Sequence, residues 1–289
     1  MYRVDNRNEV REFLISRRAL VTPEGAGLRA SGRRRVPGLR RSEVAFLANV
    51  STEYYAKIER GNLAGVSDPV LDSISEALRL NTAEREYLFR LARIASGAIE
   101  PVERRVRPQW EPPPSLANVL LAYTNGPAFV RNGRMDILAA NALGRGFLDQ
   151  ILESPAQGNI ARFVFLDDRS HTFYSDWAGI ADVTVGNMRA ETVHGVDNEL
   201  QALISELEAA SDEFARRWNR HNVHRHSTGR KGFYHHIVGE LSLDYAGFAL
   251  LWDQGLTLSL YAAEPGSESA DRLGQLNEWV ERSMPLSPA

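Results

Sequence analysis

Thr52, Glu53, Tyr54 and Lys57 crowd the opening turns of a short segment, Ser51-Thr52-Glu53-Tyr54-Tyr55-Ala56-Lys57-Ile58. Tyr55 and Ile58 stand at i, i+3 spacing and turn inward together if the segment is helical. The four polar side chains then face outward near the N-terminal end, beneath a Ser51 hydroxyl placed to cap the helix. Such a set offers both donors and acceptors to base edges. Arg40 and Arg41 ahead of it, and Arg60 behind, supply the guanidinium forks that grip phosphate. The chemistry this implies is non-covalent reading of duplex DNA, by the helix start in the major groove.

A second chemically capable group is a run of histidines. His221, His224, His226, His235 and His236 are five of the seven in the chain, and His at i, i+3 and i+5 can meet around a metal. Against a catalytic metal, the chain has no H-E-x-x-H spacing, and no carboxylate lies between His221 and His236. Arg220, Arg225, Arg230 and Lys231 crowd the same stretch and repel a divalent ion. There is no G-x-S-x-G elbow and no phosphate-cradling glycine loop. The reading is of a non-enzyme without metal or cofactor, a His-cluster metal enzyme being its weakest alternative.

Charge divides the chain. Residues 1–107 carry 20 Arg and Lys against 14 Asp and Glu, and the remaining residues carry 14 against 23, within a net charge of −3. A basic N-terminal part is what phosphate binding needs. Between Val21 and Gly38, four glycines and two prolines exclude a helix and leave a loop bearing Arg29, Arg33, Arg34 and Arg35. That loop either lies on phosphates or a minor groove, or is simply solvated.

Five short helices account for the N-terminal part. The first begins near Asn6 and buries Val10, Phe13, Leu14 and Leu20. The second spans about Arg40 to Ala48 with Val44, Leu47 and Ala48 on one face; the third follows a turn at Asn49-Val50. A fourth opens at Asp68-Pro69, as cap and first-turn proline, with Val70, Leu71, Ile74, Ala77 and Leu78 inside. A fifth, capped by Asn81 or Thr82, buries Tyr87, Leu88, Leu91 and Ala95. From Leu39 to Gly61 the chain resembles the helix-turn-helix of the xenobiotic-response-element class of repressors, ending in its usual Glu59-x-Gly61. Asn49 stands where that class has Gly, a residue that also tolerates the left-handed turn conformation. The resemblance implies base-facing Thr52, Glu53, Tyr54 and Lys57, and phosphate-facing Arg41 and Arg60. It implies operator DNA as partner; a homodimer is expected because one small module rarely binds tightly enough alone.

Residues 100–114, with Pro101, Pro108 and Pro112-Pro113-Pro114, read as a stiff connector anchored by Trp110. It separates a domain over residues 1–99 from one over 115–289. In the second, Ser115 caps a helix through Leu116, Val119, Leu120 and Tyr123. Ala128–Val130 and Met135–Ala139 form a hairpin around Asn132-Gly133, followed by a helical middle from Asn141 to Asn222. Lys231–Val238, Glu240–Leu250 and Leu256–Ala262 read as three further strands. In the last, Leu256, Leu258, Leu260 and Ala262 alternate with Thr257, Ser259 and Tyr261, the pattern of a half-buried strand. A helix capped by Ser267 closes the chain through Leu273, Leu276 and Val280. The fold expected is an all-α five-helix domain followed by an α/β (α+β) PAS-like domain, with helices over one face of a five-stranded antiparallel sheet.

From Trp110 to about Val280 the chain closely resembles the MmyB-like ligand-binding domain of bacterial regulators. The resemblance rests on Pro113-Pro114-Ser115-Leu116, Asn141-Ala142-Leu143, Phe165-Leu166-Asp167, Tyr174-Ser175-Asp176-Trp177, Trp218 with His221 and Val223, and Gly229–Lys231. It continues through His235 with Val238-Gly239-Glu240-Leu241, and Ala263-Glu264-Pro265-Gly266-Ser267. Ala140 stands where the family commonly has Trp, and His236 where it usually has Pro. A missing indole enlarges a pocket if it lined one. The resemblance implies a hydrophobic small-molecule effector, of fatty-acyl type among the possibilities. A protein-interaction module without such sensing is the alternative.

PAS-like domains bind between sheet and helices, so the pocket candidates are Asn141, Arg162, Phe163, Trp177, Arg189, Trp218, His221, Phe233, His235 and Tyr261, with Arg162 or Arg189 pairing a ligand carboxylate. The absence of cysteine, of a secretion signal and of any long apolar run points to a cytoplasmic protein without membrane contact.

Overall fold

Caps and breakers set the helix boundaries of the N-terminal region, as its short segments require. The computed structural model describes residues 6–28, 38–98, 110–194, 197–223, 228–253 and 255–283. Five helices form in the first 98 residues: α1 (Asn6–Leu20), α2 (Arg41–Leu47), α3 (Thr52–Glu59), α4 (Asp68–Ala77) and α5 (Thr82–Ala95). Asn49 adopts φ 53° between α2 and α3, and Ser51 Oγ accepts the Tyr54 N–H at 3.1 Å. Asn81 caps α5 reciprocally: its side chain accepts from Glu84 N while Glu84 accepts from Asn81 N.

The core of this unit joins Val10, Phe13 and Leu14 of α1 to Val44, Tyr55, Ile58, Leu71, Ile74, Leu88 and Leu91. Leu20 is not part of it. It is 66% exposed, and Arg17 is buried in its place, joined to the equally buried Glu84. Ala92 is buried where Ala95 was expected. The cap of α4 is Ser67, with Asp68 and Pro69 inside the first turn.

By its internal contacts the chain forms two units that are discontinuous in sequence. The first comprises Met1–Arg104 together with Thr192–Val196 and Trp218–His224; the second comprises the rest. Within the first, Arg17 Nη2 donates to Arg220 O at 2.9 Å and to Asn222 Oδ1 at 2.7 Å.

The second unit opens with α6 (Pro114–Ala122), β1 (Ala128–Arg131) and β2 (Ile137–Ala140). Pro113, not Ser115, occupies the cap position of α6; a proline in the first turn loses no hydrogen bond there. The helical middle is α7 (Ala142–Phe147), α8 (Asp149–Leu152), α9 (Ile160–Leu166), α10 (Ser170–Phe173), α11 (Trp177–Thr192), α12 (Asn198–Ala210) and α13 (Asp212–Trp218). Then come β3 (Thr228–His235), β4 (Gly239–Ala249), β5 (Thr257–Ala263) and α14 (Glu268–Ser283). The sheet is antiparallel throughout, in the order β2-β1-β5-β4-β3.

β5 is therefore an interior strand, and both its faces are used. Leu258 packs in a cluster with Leu116, Leu120, Val130, Leu250 and Leu256, joined by Trp110. Trp110 Nε1 donates to Asp253 Oδ2 at 3.1 Å. The half-buried strand expected from the leucine alternation is corrected accordingly: Ser259 and Tyr261, on the other face, are 8% and 6% exposed.

Asn141 joins the start of β1 to the helices on either side of it. Its Oδ1 accepts from Ala128 N at 2.9 Å and Gly144 N at 2.7 Å. Its Nδ2 donates to Tyr123 O at 2.6 Å and Gly126 O at 2.9 Å. Each side-chain donor and acceptor is engaged by backbone, and removing the amide strands four such groups at a buried site. Unsatisfied buried groups cost roughly 1–3 kcal/mol each. We expect Asn141→Ala to lower the unfolding free energy of the second unit by more than about 3 kcal/mol. Urea denaturation followed by the unit's tryptophan fluorescence checks this.

Candidate functional site

Among the described residues, three places bring chemically capable side chains together. The first is the surface of α3. Thr52, Glu53, Lys57 and Arg60 are exposed and Tyr54 is half-buried, while Tyr55 and Ile58 point into the core. What holds the helix is Glu59, whose carboxylate is 1% exposed and clamped by two arginines: Arg18 Nε of α1 at 2.5 Å, and Arg41 Nε of α2. Arg18 also donates to Leu39 O at 2.8 Å, just ahead of α2. Burial, reinforced by the Glu59 charge, raises the neighbouring Tyr55 phenol well above its ordinary value and keeps it neutral.

Gly61 ends the helix at φ 88°, and a Cβ there would sit 2.3 Å from Arg7 O. Only glycine allows α1 to pass so closely. Arg41 has a structural task in addition to the phosphate contact its position suggested, whereas Arg60 stays exposed with no carboxylate partner among the described residues. Arg40 is exposed at the α2 cap, its N–H donating to Glu43 Oε2 at 2.7 Å. Arg33, Arg34 and Arg35 lie outside the described residues.

The second place is a cavity of about 70 Å³ between the sheet and the helices of the second unit. The sheet contributes Phe129 and Arg131 of β1, Lys231 and Phe233 of β3, Tyr245 and Gly247 of β4, and Thr257, Ser259 and Tyr261 of β5. Phe147 of α7, Ile160 of α9, Phe173 of α10 and Ile180, Val183, Thr184 and Asn187 of α11 close it from the helical side. Register explains the grouping. Phe129 pairs with Ser259, Gly247 with Ser259, and Tyr245 with Tyr261, so these side chains share one face. Phe147 meets Phe233 edge to face at 4.9 Å, and Tyr245 stacks on Tyr261 at 5.7 Å.

Two cations sit among these rings. Lys231 Nζ lies 4.1 Å from the Tyr245 ring centre and 3.5 Å from Tyr261 Oη. Arg131 Nη1 donates to Met135 Sδ at 3.3 Å and Asn132 O at 3.4 Å. Burial lowers the pKa of both, and the Arg131 charge lowers that of Lys231 further; Tyr245 opposes the shift at Lys231, and Glu191 and Tyr261 oppose it at Arg131.

Of the residues named from sequence, only Phe233 and Tyr261 line this cavity. Phe163 packs behind it, against Phe173 and Tyr174. Asn141 is spent on backbone, as described. Arg162 makes a two-point pair with Glu206 at 2.9 and 2.7 Å on the surface. Trp177 donates to Val164 O and Ser170 Oγ, both at 3.0 Å, and Arg189 is buried within α11 away from the lining. Trp218 and His221 fall in the first unit. Ala140 borders a separate apolar groove of about 390 Å³ beside α6, with Leu121 and Leu138. The space left by the missing indole is thus outside the cavity. Arg131, Lys231, Tyr245, Phe129 and Phe147 are not among the pocket candidates expected from sequence, although the i, i+2 pairs Phe129/Arg131 and Lys231/Phe233 carry the period of a shared strand face.

Tertiary structure brings Asp149 of α8 to two of the histidines. Asp149 Oδ2 lies 2.7 Å from His236 Nε2, and Oδ1 lies 3.7 Å from His235 Nε2. Among the described residues this is the group whose ligand atoms converge enough to consider a metal. His235 fits one poorly: Nδ1 accepts the Ile237 N–H at 3.3 Å, and Nε2 then bears the proton and donates to Gly146 O at 3.1 Å. Neither ring nitrogen is then free to ligate. His221 is in the first unit, 3.6 Å from Glu9, and His224 and His226 lie outside the described residues.

A family profile described as the MmyB-like transcription regulator ligand binding domain matches residues 112–276, more than half of the 289 residues. The chain belongs to that family. It is therefore a transcription regulator with a ligand-binding domain. A search of curated proteins finds no match. Among the described residues, no helix is long and apolar enough to cross a membrane.

Burial holds the His235 imidazole below the ordinary histidine value, although the Asp149 charge and the Gly146 hydrogen bond act the other way. The unfolded chain takes up this proton near pH ~6.5, and the folded chain only at lower pH. Unfolding is thus favoured as pH falls through that range. We expect Tm to drop between about pH 7 and pH 5, and His235→Gln to make the drop shallower. An unchanged slope in the variant would remove His235 from this account.

Proposed function

We propose that the chain is a sequence-specific DNA-binding regulator whose α2 and α3 form a helix-turn-helix and whose second unit is a PAS-like sensor of a hydrophobic small molecule. One observation carries the DNA-binding part: an exposed row, Thr52, Glu53 and Lys57, on a Ser51-capped helix braced from behind by the buried Glu59 clamp. A groove-reading helix needs polar side chains near its N-terminus and a rigid support beneath them. The basic balance of residues 1–107 supports the same reading. For the sensor, the support is a ring-lined cavity in the domain that the family match covers.

A single module of this size seldom binds DNA tightly enough alone, so a homodimer spanning half-sites about 34 Å apart is part of the reading. Bound ligand alters DNA affinity by favouring one arrangement of that dimer over another. Such a regulator works in the cytoplasm, with operator DNA and effector as its partners.

The test begins with selection of bound duplexes from a random pool, followed by anisotropy titrations of the selected site. Lys57→Ala is expected to cost about 1–3 kcal/mol at the base pair it reads and to relax preference there. Arg60→Ala is expected to weaken all sequences alike and to reduce the salt slope by about one. Arg41→Ala is expected to weaken binding and also lower Tm, because it removes half of the Glu59 clamp. If no duplex is enriched, or if both Lys57→Ala and Arg60→Ala bind as wild type, the assignment of α3 fails.

A further inference from the structure

The cavity of the second unit has a charge imbalance that its apolar character does not account for. Among the described residues its lining contains two cations, Arg131 and Lys231, and no carboxylate. Among the described residues neither cation has a carboxylate within salt-bridge distance, and the acidic group acting most strongly on Arg131 is Glu191, outside the lining. Both are half-buried, and a cation partly withdrawn from water costs free energy unless paired. The rings of Tyr245 and Tyr261 offset part of that cost for Lys231, at 4.1 and 5.9 Å from Nζ. Among the described residues Arg131 donates to a thioether and a carbonyl, at 3.3 and 3.4 Å. Both sites retain unused donors, since a guanidinium carries five and an ammonium three.

Shape narrows the partner. At about 70 Å³ the cavity is well below the ~150 Å³ that holds a benzene ring and the ~300–1,000 Å³ of pockets for larger ligands. A ring-sized body enters if the flexible Lys231 tail withdraws from the face of Tyr245, leaving an aromatic surface on which to stack. A long acyl chain requires α9, α10 and α11 to separate from the sheet, at the cost of the packing between Phe147, Phe173 and Phe233.

We propose that this cavity binds a compact carboxylic acid with an aromatic body, its carboxylate held between Arg131 and Lys231 and its ring set against Tyr245 and Tyr261. The inference rests on the ligand-sensing reading above and narrows it to an anionic class. Thr257 and Ser259, on the same sheet face, offer hydroxyls to the same head group.

Calorimetric titration of the full chain with phenylacetate, phenylacetamide and laurate tests this. Phenylacetate should bind saturably, and the neutral amide at least about tenfold more weakly, because charge-assisted hydrogen bonds are roughly twice as strong as neutral ones. Lys231→Met and Arg131→Met should each weaken phenylacetate more than the amide, and so narrow the gap between the two. The comparison of acid with amide on the wild-type chain needs no variant to fold. Equal affinity for acid and amide, or variants that hold phenylacetate as tightly as wild type, would overturn the proposal. Binding of laurate alone overturns the compact class and leaves a ligand-sensing domain. Binding of none of the three overturns the proposal, while enrichment of a DNA site in the selection experiment is read independently.

Discussion

The carboxamide of Asn141 has two donors and two acceptor positions, and backbone groups of the second unit occupy them all. Through it the end of α6, the start of β1 and the first turn of α7 are held at one point. The cavity walls depend on that point. β1 carries Phe129 and Arg131 onto the face shared with β5, and α7 carries Phe147 onto Phe233. The last turn of α7 also presents Gly146 O to His235, which locks the imidazole in one tautomer at the end of β3. Leaving a buried polar group without its partner is costly. The second unit therefore cannot shift α7 against the sheet without breaking several backbone hydrogen bonds at once.

The first unit uses a charge for the same purpose. Glu59 is nearly inaccessible, and Arg18 and Arg41 reach it from α1 and α2. Three helices thus meet at one carboxylate on the inner side of α3, leaving the outer side free of structural duty. Gly61 lets α1 pass close behind, since any side chain there meets Arg7 backbone. Rigid support on one face and unengaged polar groups on the other form the division of labour expected of a helix that reads a surface. In the second unit, rigid aromatic packing similarly surrounds the two cations whose charge no lining carboxylate balances.

Much of the element order was legible because its signals are local. Ser51 and Asn81 cap the helices they were expected to cap, Asn49 takes the left-handed conformation that its turn demands, and Asn132-Gly133 joins two paired strands. Leu273, Leu276 and Val280 bury one side of α14. The candidate site was far less legible. Arg131 sits beside a turn signal and Lys231 within a basic run, contexts that give no sign of a cavity wall. Arg162, a cation on an apolar helix, is answered by Glu206 on a different helix. Asn141 and Trp177, polar groups in an apolar stretch, are engaged by main-chain or hydroxyl groups of the fold itself.

Capping geometry, turn chemistry and hydrophobic period act over a few residues, so the sequence by itself determined the order of the five N-terminal helices, of the strands and of the closing helix, and the family resemblance. It also determined that the N-terminal part is basic. The tertiary structure alone decided which face of β5 borders the cavity. Period two distinguishes the faces of a strand from each other but not which one a remote helix will cover. It likewise decided that Glu59 would hold three helices, that Asp149 would meet His235 and His236, and that Trp218 and His221 would belong to the first unit. Each of these turns on two segments distant in the chain being buried against one another, where the exclusion of water makes the pairing of charges and hydrogen-bonding groups obligatory.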